Sequence, residues 1–71
     1  MAQAPETFAE RLEWLRTKRH VSRRVLSELC GLNKNQVTRY ERGEQMPNAI
    51  ALIALADYFG VTVDYLLCRD K

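Results

Sequence analysis

The chain has 71 residues, of which 46% are hydrophobic and 28% charged, with a formal net charge of +2. This length predicts a single domain over residues 1–71, near the lower size at which a hydrophobic core alone stabilises a fold. Cys30 and Cys68 are too few for a disulfide framework, and no CxxC or CxxH spacing indicates zinc. The composition therefore argues against an enclosed active site, a disulfide scaffold and a zinc-dependent fold.

The first residues, MAQAPETFAER, are acidic and lack the apolar centre of a signal peptide. No apolar run approaches the roughly 20 residues that a membrane-spanning helix needs. We therefore expect a cytoplasmic, unprocessed protein that contacts no membrane. Nothing in the sequence indicates a cofactor or a small-molecule ligand.

The charged residues are distributed unevenly along the chain. Residues 16–42 contain eight Lys or Arg residues and two Glu residues, a net charge of +6, whereas the remainder carries −4. A polarised molecule of this kind is expected to attract a polyanion to one face.

The first predicted helix covers about residues 7–19. Thr7 and Glu10 form a capping-box pattern, and Phe8, Leu12 and Leu15 share one face. Trp14 lies off this apolar stripe, so we expect it to be partly exposed. The helix is expected to end near His20, because a second cap candidate, Ser22, follows at once.

A second helix is predicted from the cap residue Ser22 to the terminating glycine, Gly31. Its apolar residues Leu26, Leu29 and Cys30 are expected to face the core, and Cys30 to be a small core hydrophobe instead of a reactive thiol. Ser27 is small enough for a neighbouring helix to approach closely.

A third helix is predicted from the cap residue Asn33 to about Arg42, followed by Gly43. Its clear apolar residues are Val37 and Tyr40, one turn apart, so a single narrow stripe is expected to attach it to the protein. The rest of this helix should face solvent.

The fourth predicted helix begins near Pro47 and Asn48 and ends at Gly60. It is the most hydrophobic segment and should form the centre of the core, through Ile50, Leu52, Ile53, Leu55, Ala56 and Phe59. Thr62 can cap a short fifth helix. No segment alternates with the period of a strand, so the sequence predicts a compact all-α domain of five helices.

Residues 12–67 resemble the helix-turn-helix domain of the phage-repressor and Cro class, the Xre family. The resemblance rests on elements in the family's order and spacing: Arg16, Ser22, Leu26 with Ser27, Gly31, Asn33 to Tyr40, Glu41-Arg42-Gly43, Pro47, Ile50 to Phe59, and Gly60 to Leu67. It implies a lambda-repressor-like fold in which the second and third helices form the helix-turn-helix. This sequence departs from the family pattern at Arg23, often glutamine there, at Ser27, often alanine, and at His20, often glycine. The resemblance implies a left-handed conformation at His20, which histidine tolerates better than most residues.

The resemblance further implies a DNA-binding role in which the third helix enters the major groove. Base contacts are expected from Lys34, Asn35, Thr38 and Arg39, and Gln36 can reach either a base or a phosphate. Arg23 and Arg42 suit phosphate contacts. The expected DNA-binding set is Arg23, Asn33, Lys34, Asn35, Gln36, Thr38, Arg39 and Arg42.

The resemblance also implies an ion pair between Arg16 and Glu41 that ties the third helix to the first. The alternative is two separately solvated side chains.

The sequence favours a transcriptional regulator, most simply a repressor, that binds double-stranded DNA as a homodimer on a two-fold operator. We expect Val63, Tyr65, Leu67 and Cys68 to supply the dimer contact. The alternative is a protein-interaction module, such as an antitoxin or an adaptor, that keeps the same fold. No constellation of residues supports an enzyme.

Overall fold

The computed structural model describes residues 7–69 and contains five α-helices in that range. They are α1 (Phe8–Lys18), α2 (Arg23–Leu29), α3 (Gln36–Glu41), α4 (Ala49–Phe59) and α5 (Val63–Leu66). The described residues form no strand, so the predicted five-helix, all-α architecture is confirmed. None of these helices has the length and apolar character needed to span a bilayer.

Four helices begin at side-chain caps that the sequence indicates. The hydroxyl of Thr7 accepts from the backbone N–H of Glu10 at 3.2 Å, and that of Ser22 accepts from Val25 at 3.1 Å. Asn48 and Thr62 cap α4 and α5 in the same way. Because each cap satisfies an N–H group that has no partner within its own helix, it fixes where the helix starts.

The predicted start of the third helix is wrong. Asn33 does not cap it, because α3 begins at Gln36, and residues 33–36 form a turn in which the N–H of Gln36 donates to the carbonyl of Asn33 at 3.0 Å. Asn35 holds the cap position but makes no side-chain cap bond. Instead, Ser27 of α2 accepts from the N–H of Val37 at 3.2 Å. A hydroxyl from a neighbouring helix thus replaces the local cap.

The core takes one fully buried apolar side chain from each helix: Leu12, Leu26, Val37, Leu55 and Leu66. Phe8 and Tyr40 extend this cluster, and their rings meet edge-on at a centroid distance of 6.1 Å. The narrow Val37 and Tyr40 stripe is therefore the apolar attachment of α3, as predicted. Trp14 is partly exposed, also as predicted.

Three predicted core residues are exposed. Leu29 is 60%, Ile50 80% and Ile53 53% exposed. On α4 the inward stripe contains Ala51 and Leu55 one turn apart, which places Ile50 and Ile53 on other faces. Because nearly every residue of α4 is apolar, its sequence period does not identify the buried side.

Two arginines outside the predicted site join helices. Arg19 donates to the carbonyl oxygens of Tyr58 and Phe59 at 3.3 and 3.2 Å and so satisfies the C-terminal end of α4. Arg11 is buried and donates to the carbonyl of Tyr65 at 2.7 Å. Its guanidinium also lies 4.3 Å from the centre of the Tyr65 ring. Arg11 and Arg19 therefore stabilise the packing of the helices.

Arg16 and Glu41 form a buried two-point contact between α1 and α3. Nε of Arg16 donates to Oε2 of Glu41 at 2.6 Å, and Nη2 donates to Oε1 at 3.2 Å. The side chains are 11% and 3% exposed. Nη1 of Arg16 also donates to the carbonyl of Val21 at 2.9 Å. One guanidinium thus holds the C-terminal end of α3 and the α1–α2 link.

We expect Ser27→Ala to lower the free energy of unfolding by about 1–3 kcal/mol, because it leaves the buried N–H of Val37 without an acceptor. Urea unfolding measures this change. Thr17→Ala is the control, since the Thr17 hydroxyl bonds the carbonyl of Trp14 at an exposed position. Equal stability of the two variants would contradict the bridging role of Ser27.

We expect Arg16→Gln to lower the free energy of unfolding by about 3 kcal/mol, the low end for a broken buried pair, because Arg23 still contacts the Glu41 carboxylate. The control is Arg24→Gln. Arg24 pairs with Glu28 at 3.4 Å, both side chains are exposed, and the cost should stay below about 1 kcal/mol. A loss for Arg16→Gln no larger than that of the control would show that the pair is unimportant for stability.

Candidate nucleic-acid interface

The turn between α2 and α3 is closed by the backbone of α2. Gly31 adopts a left-handed conformation with φ of 71°, which non-glycine residues rarely adopt. The N–H of Leu32 then donates to the carbonyl of Ser27 at 2.7 Å. The Ser27 hydroxyl donates to the carbonyl of Arg23 at 3.0 Å while accepting from Val37. Ser27 therefore holds the turn through its backbone carbonyl and α3 through its side chain.

The outward side of this helix pair carries the predicted DNA-binding residues. Gln36 and Thr38 are partly exposed, and the other six are exposed: Arg23, Asn33, Lys34, Asn35, Arg39 and Arg42. Since Val37 and Tyr40 are buried on the opposite side of α3, the inward and outward residues of this helix are cleanly separated.

Two open surface clefts flank the start of α3. The first has a volume of about 530 Å³ and is lined by Arg16, Ser22, Arg23, Arg24, Lys34, Asn35 and Thr38. The second, about 560 Å³, is lined by Leu32, Asn33, Lys34, Asn35, Gln36 and Arg39. The structure thus brings seven of the eight predicted residues together around one helix end. Arg42 lies apart, at the other end of α3.

The charges around these clefts are mostly positive. Among residues 7–69, the described ion pairs do not involve Lys34 or Arg39. Arg42 lies 3.8 Å from Glu44, with both side chains exposed, so this contact neutralises little charge. Lys34 and Arg39 therefore present their charges to solvent beside the α3 surface.

Arg23 has a partner that the sequence reasoning missed. Its Nε donates to Oε1 of Glu41 at 2.9 Å, so Glu41 contacts Arg23 as well as Arg16. The available signal was the departure at position 23, where a charged arginine stands in place of the glutamine common in the family that the sequence resembles. The arginine at position 23 brings a second guanidinium within reach of the buried Glu41 carboxylate.

Cys30 lies beside the helix pair, and its thiol faces α4. Burial raises its pKa above the ordinary value for a thiol, which keeps the sulfur protonated at neutral pH. Its Sγ lies 3.9 Å from the carbonyl of Ala54. In the described range, no group of three or more His, Cys, Asp or Glu is placed to hold a metal ion.

Comparisons with known proteins agree with this geometry. A family model described as Helix-turn-helix matches residues 12–66. The HTH-type transcriptional regulator AnsR of Bacillus subtilis (strain 168) is 40% identical over 62 residues, which are 87% of this chain and 53% of that protein. The HTH-type transcriptional activator BcrR of Enterococcus faecalis is 32% identical over 64 residues, 90% of this chain and 31% of that protein. The chain thus spans about half or less of these relatives.

Among solved structures, the P22 c2 repressor protein in complex with synthetic operator 9T superposes with a TM-score of 0.86 at 29% identity. The match covers 93% of this chain and all of that one. The likeness confirms the predicted lambda-repressor-like fold. The chain therefore belongs to the helix-turn-helix family of the Xre/Cro/C1 type, like the transcriptional regulators AnsR and BcrR to which it is similar.

Proposed function

We propose that this chain is a sequence-specific regulator of transcription that places α3 in the major groove of double-stranded DNA. The observation that carries the proposal is the division of α3 between a buried side, Val37 and Tyr40, and a polar, cationic outer side. A major groove about 12 Å wide admits such a helix. Because the helix is attached through its inner side, its outer side can approach base edges without unfolding.

The proposed base contacts come from α3 and the turn before it. Lys34 and Arg39 suit the acceptor atoms of guanine, and Asn35 suits adenine, since an amide both donates and accepts. Thr38 and Asn33 lie beside them, and Gln36 is placed for a base or a phosphate. These residues line the two clefts at the start of α3.

Arg23 and Arg42 are proposed to bind phosphates on the two sides of the groove. Arg23 is half exposed beside the first cleft. Arg42 is exposed at the far end of α3. Phosphate contacts at both ends of a recognition helix fix its register on the duplex, although they read no sequence.

The known proteins support this proposal in different ways. The P22 c2 repressor is described bound to an operator, which favours operator binding and repression for this chain. BcrR is described as an activator, so the same helix pair also serves proteins that activate. We propose repression, because the superposition with P22 c2 covers nearly the whole chain.

We further propose that two copies bind a two-fold operator. The domain measures 32 × 24 × 23 Å, and recognition helices in successive major grooves are about 34 Å apart, so neighbouring copies would lie within contact distance. Leu67 and Cys68 at the end of α5 are half-buried, and with Val63 and Tyr65 they remain our proposed contact. Val63 packs on the domain's own core, and Tyr65 lies against Arg11.

We expect Arg39→Ala to reduce binding to the cognate duplex by about 1–3 kcal/mol and to leave binding to random duplex almost unchanged, because it removes a base contact. Arg23→Ala should weaken binding to both duplexes equally. It should also reduce the slope of log affinity against log salt concentration by about 0.9. Fluorescence anisotropy at several salt concentrations measures both quantities. Equal losses on cognate and random duplex for both variants would contradict these assignments.

Selection of bound duplexes from a random pool at two salt concentrations tests the proposed function as a whole. We expect a palindromic consensus with half-sites about one helical turn apart. Light scattering with the selected duplex should show two copies per site. A pool that stays random would refute the regulator proposal and favour the protein-interaction alternative, whereas a consensus without symmetry would refute the dimer.

A further inference from the structure

One carboxylate in this domain receives two guanidinium groups. Oε1 of Glu41 accepts from Nη2 of Arg16 at 3.2 Å and from Nε of Arg23 at 2.9 Å, while Oε2 accepts from Nε of Arg16 at 2.6 Å. The carboxylate is 3% exposed, whereas the Arg23 side chain is 50% exposed. Arg16 is thus the buried partner, and Arg23 is the partner that reaches the surface.

The cluster of Arg16, Glu41 and Arg23 carries a net charge of +1. Arg16 and Arg23 both line the first cleft, together with Arg24 and Lys34, and the lining of this cleft includes no acidic residue. Because Glu41 and Arg16 are largely shielded from water, solvent screens their charges less than it screens surface charges. The cleft therefore offers a positively charged surface that suits an anion.

We propose that Glu41 is the positioning residue of a phosphodiester site in this cleft, and that it acts by holding Arg23. This inference rests on the proposed binding of DNA and names the group that binds one of its phosphates. Glu41 makes no contact with the phosphate. It fixes the Arg23 guanidinium through Nε, and the planar group keeps its remaining N–H donors for a phosphate oxygen.

The benefit of this arrangement is preorganisation. A free arginine side chain loses rotamer freedom when it binds a phosphate, and this loss weakens binding. In the described structure Arg23 is already held by a charge-assisted hydrogen bond, the stronger kind. A glutamine at position 23 is uncharged and could not form an ion pair with the Glu41 carboxylate. The arginine that departs from the family pattern and Glu41 therefore act as a pair.

The change in DNA affinity on removing the Glu41 charge distinguishes positioning of Arg23 from an effect of net charge alone. If only net charge mattered, removal of any acidic residue near the cleft would strengthen binding to DNA. If Glu41 positions Arg23, Glu41→Gln must weaken binding to DNA. Glu28 supplies the matched control, since Glu28 also pairs with an arginine of the cleft, Arg24, but at an exposed position.

The experiment measures the affinity of Glu41→Gln and Glu28→Gln for the selected duplex and for a random duplex at several salt concentrations. We expect Glu41→Gln to lose about tenfold in affinity on both duplexes, as for one hydrogen bond to a charged group. Glu28→Gln should bind as the unaltered chain does, or slightly more tightly. If Glu41→Gln gains affinity like the control, or loses it on the selected duplex alone, the proposal is wrong.

A second variant decides the question if Glu41→Gln does not fold, as circular dichroism would show. Arg23→Lys keeps the charge and the Arg16–Glu41 pair, but one ammonium cannot serve Glu41 and a phosphate with the fixed geometry of a guanidinium. We expect Arg23→Lys to lose about tenfold in affinity for both duplexes, as for one hydrogen bond to a charged group. Unaltered affinity of Arg23→Lys would overturn the proposal.

These outcomes are distinct from failure of the proposed function. If the unaltered chain binds no duplex, the regulator proposal itself fails before any variant is compared. If the unaltered chain binds DNA, and Glu41→Gln and Arg23→Lys bind it with the same affinity as the unaltered chain, the proposed function is supported. The proposed role of Glu41 in phosphate binding is then wrong.

Discussion

The Glu41 carboxylate is the point at which three helices are joined. Arg16 reaches it from α1 and Arg23 from α2, while Glu41 itself is the last residue of α3. A buried carboxylate is costly unless it is fully paired, and here both oxygens accept hydrogen bonds from arginine. The position of α3, and with it the direction in which its polar residues point, depends on this contact.

The other constraint on α3 is its small size. Six residues are too few for a helix to be stable alone, so its stability comes from contacts with the rest of the domain. Val37 and Tyr40 fill the core, Ser27 satisfies its first buried N–H, and Glu41 fixes its end. Each contact lies on the inner side. The outer side is left with the polar and charged residues that we propose bind DNA.

Local features of the sequence predicted local features of the fold. The cap residues Thr7 and Ser22 and the left-handed Gly31 all lie where the sequence indicates. His20 is left-handed, as the family resemblance implies. These features depend on residues three or four positions apart, so both partners of each interaction can be read from one short segment of sequence. Val37 and Tyr40 were equally predictable, because they are the clear apolar residues of their helix.

The features that the sequence did not predict depend on distant residues. Asn33 resembles a cap, but Ser27 of another helix performs that role at Val37. Ile50 was expected in the core because α4 is apolar on every side, and only packing selects the stripe that is buried. The Arg23 contact with Glu41 joins residues 18 positions apart. The residues of the proposed DNA-binding site come from the sequence, whereas the pairing of Arg23 with Glu41 appears only in the structure.

The separation of inner and outer residues on α3 has an evolutionary consequence. Substitutions at exposed positions such as Lys34, Asn35 and Arg39 usually change stability by less than about 0.5 kcal/mol. If these residues bind DNA as we propose, the preferred operator can change by mutation while the fold is preserved, since the residues that hold the helix are a different set. A duplicated copy of this gene could acquire a new target without passing through an unstable intermediate.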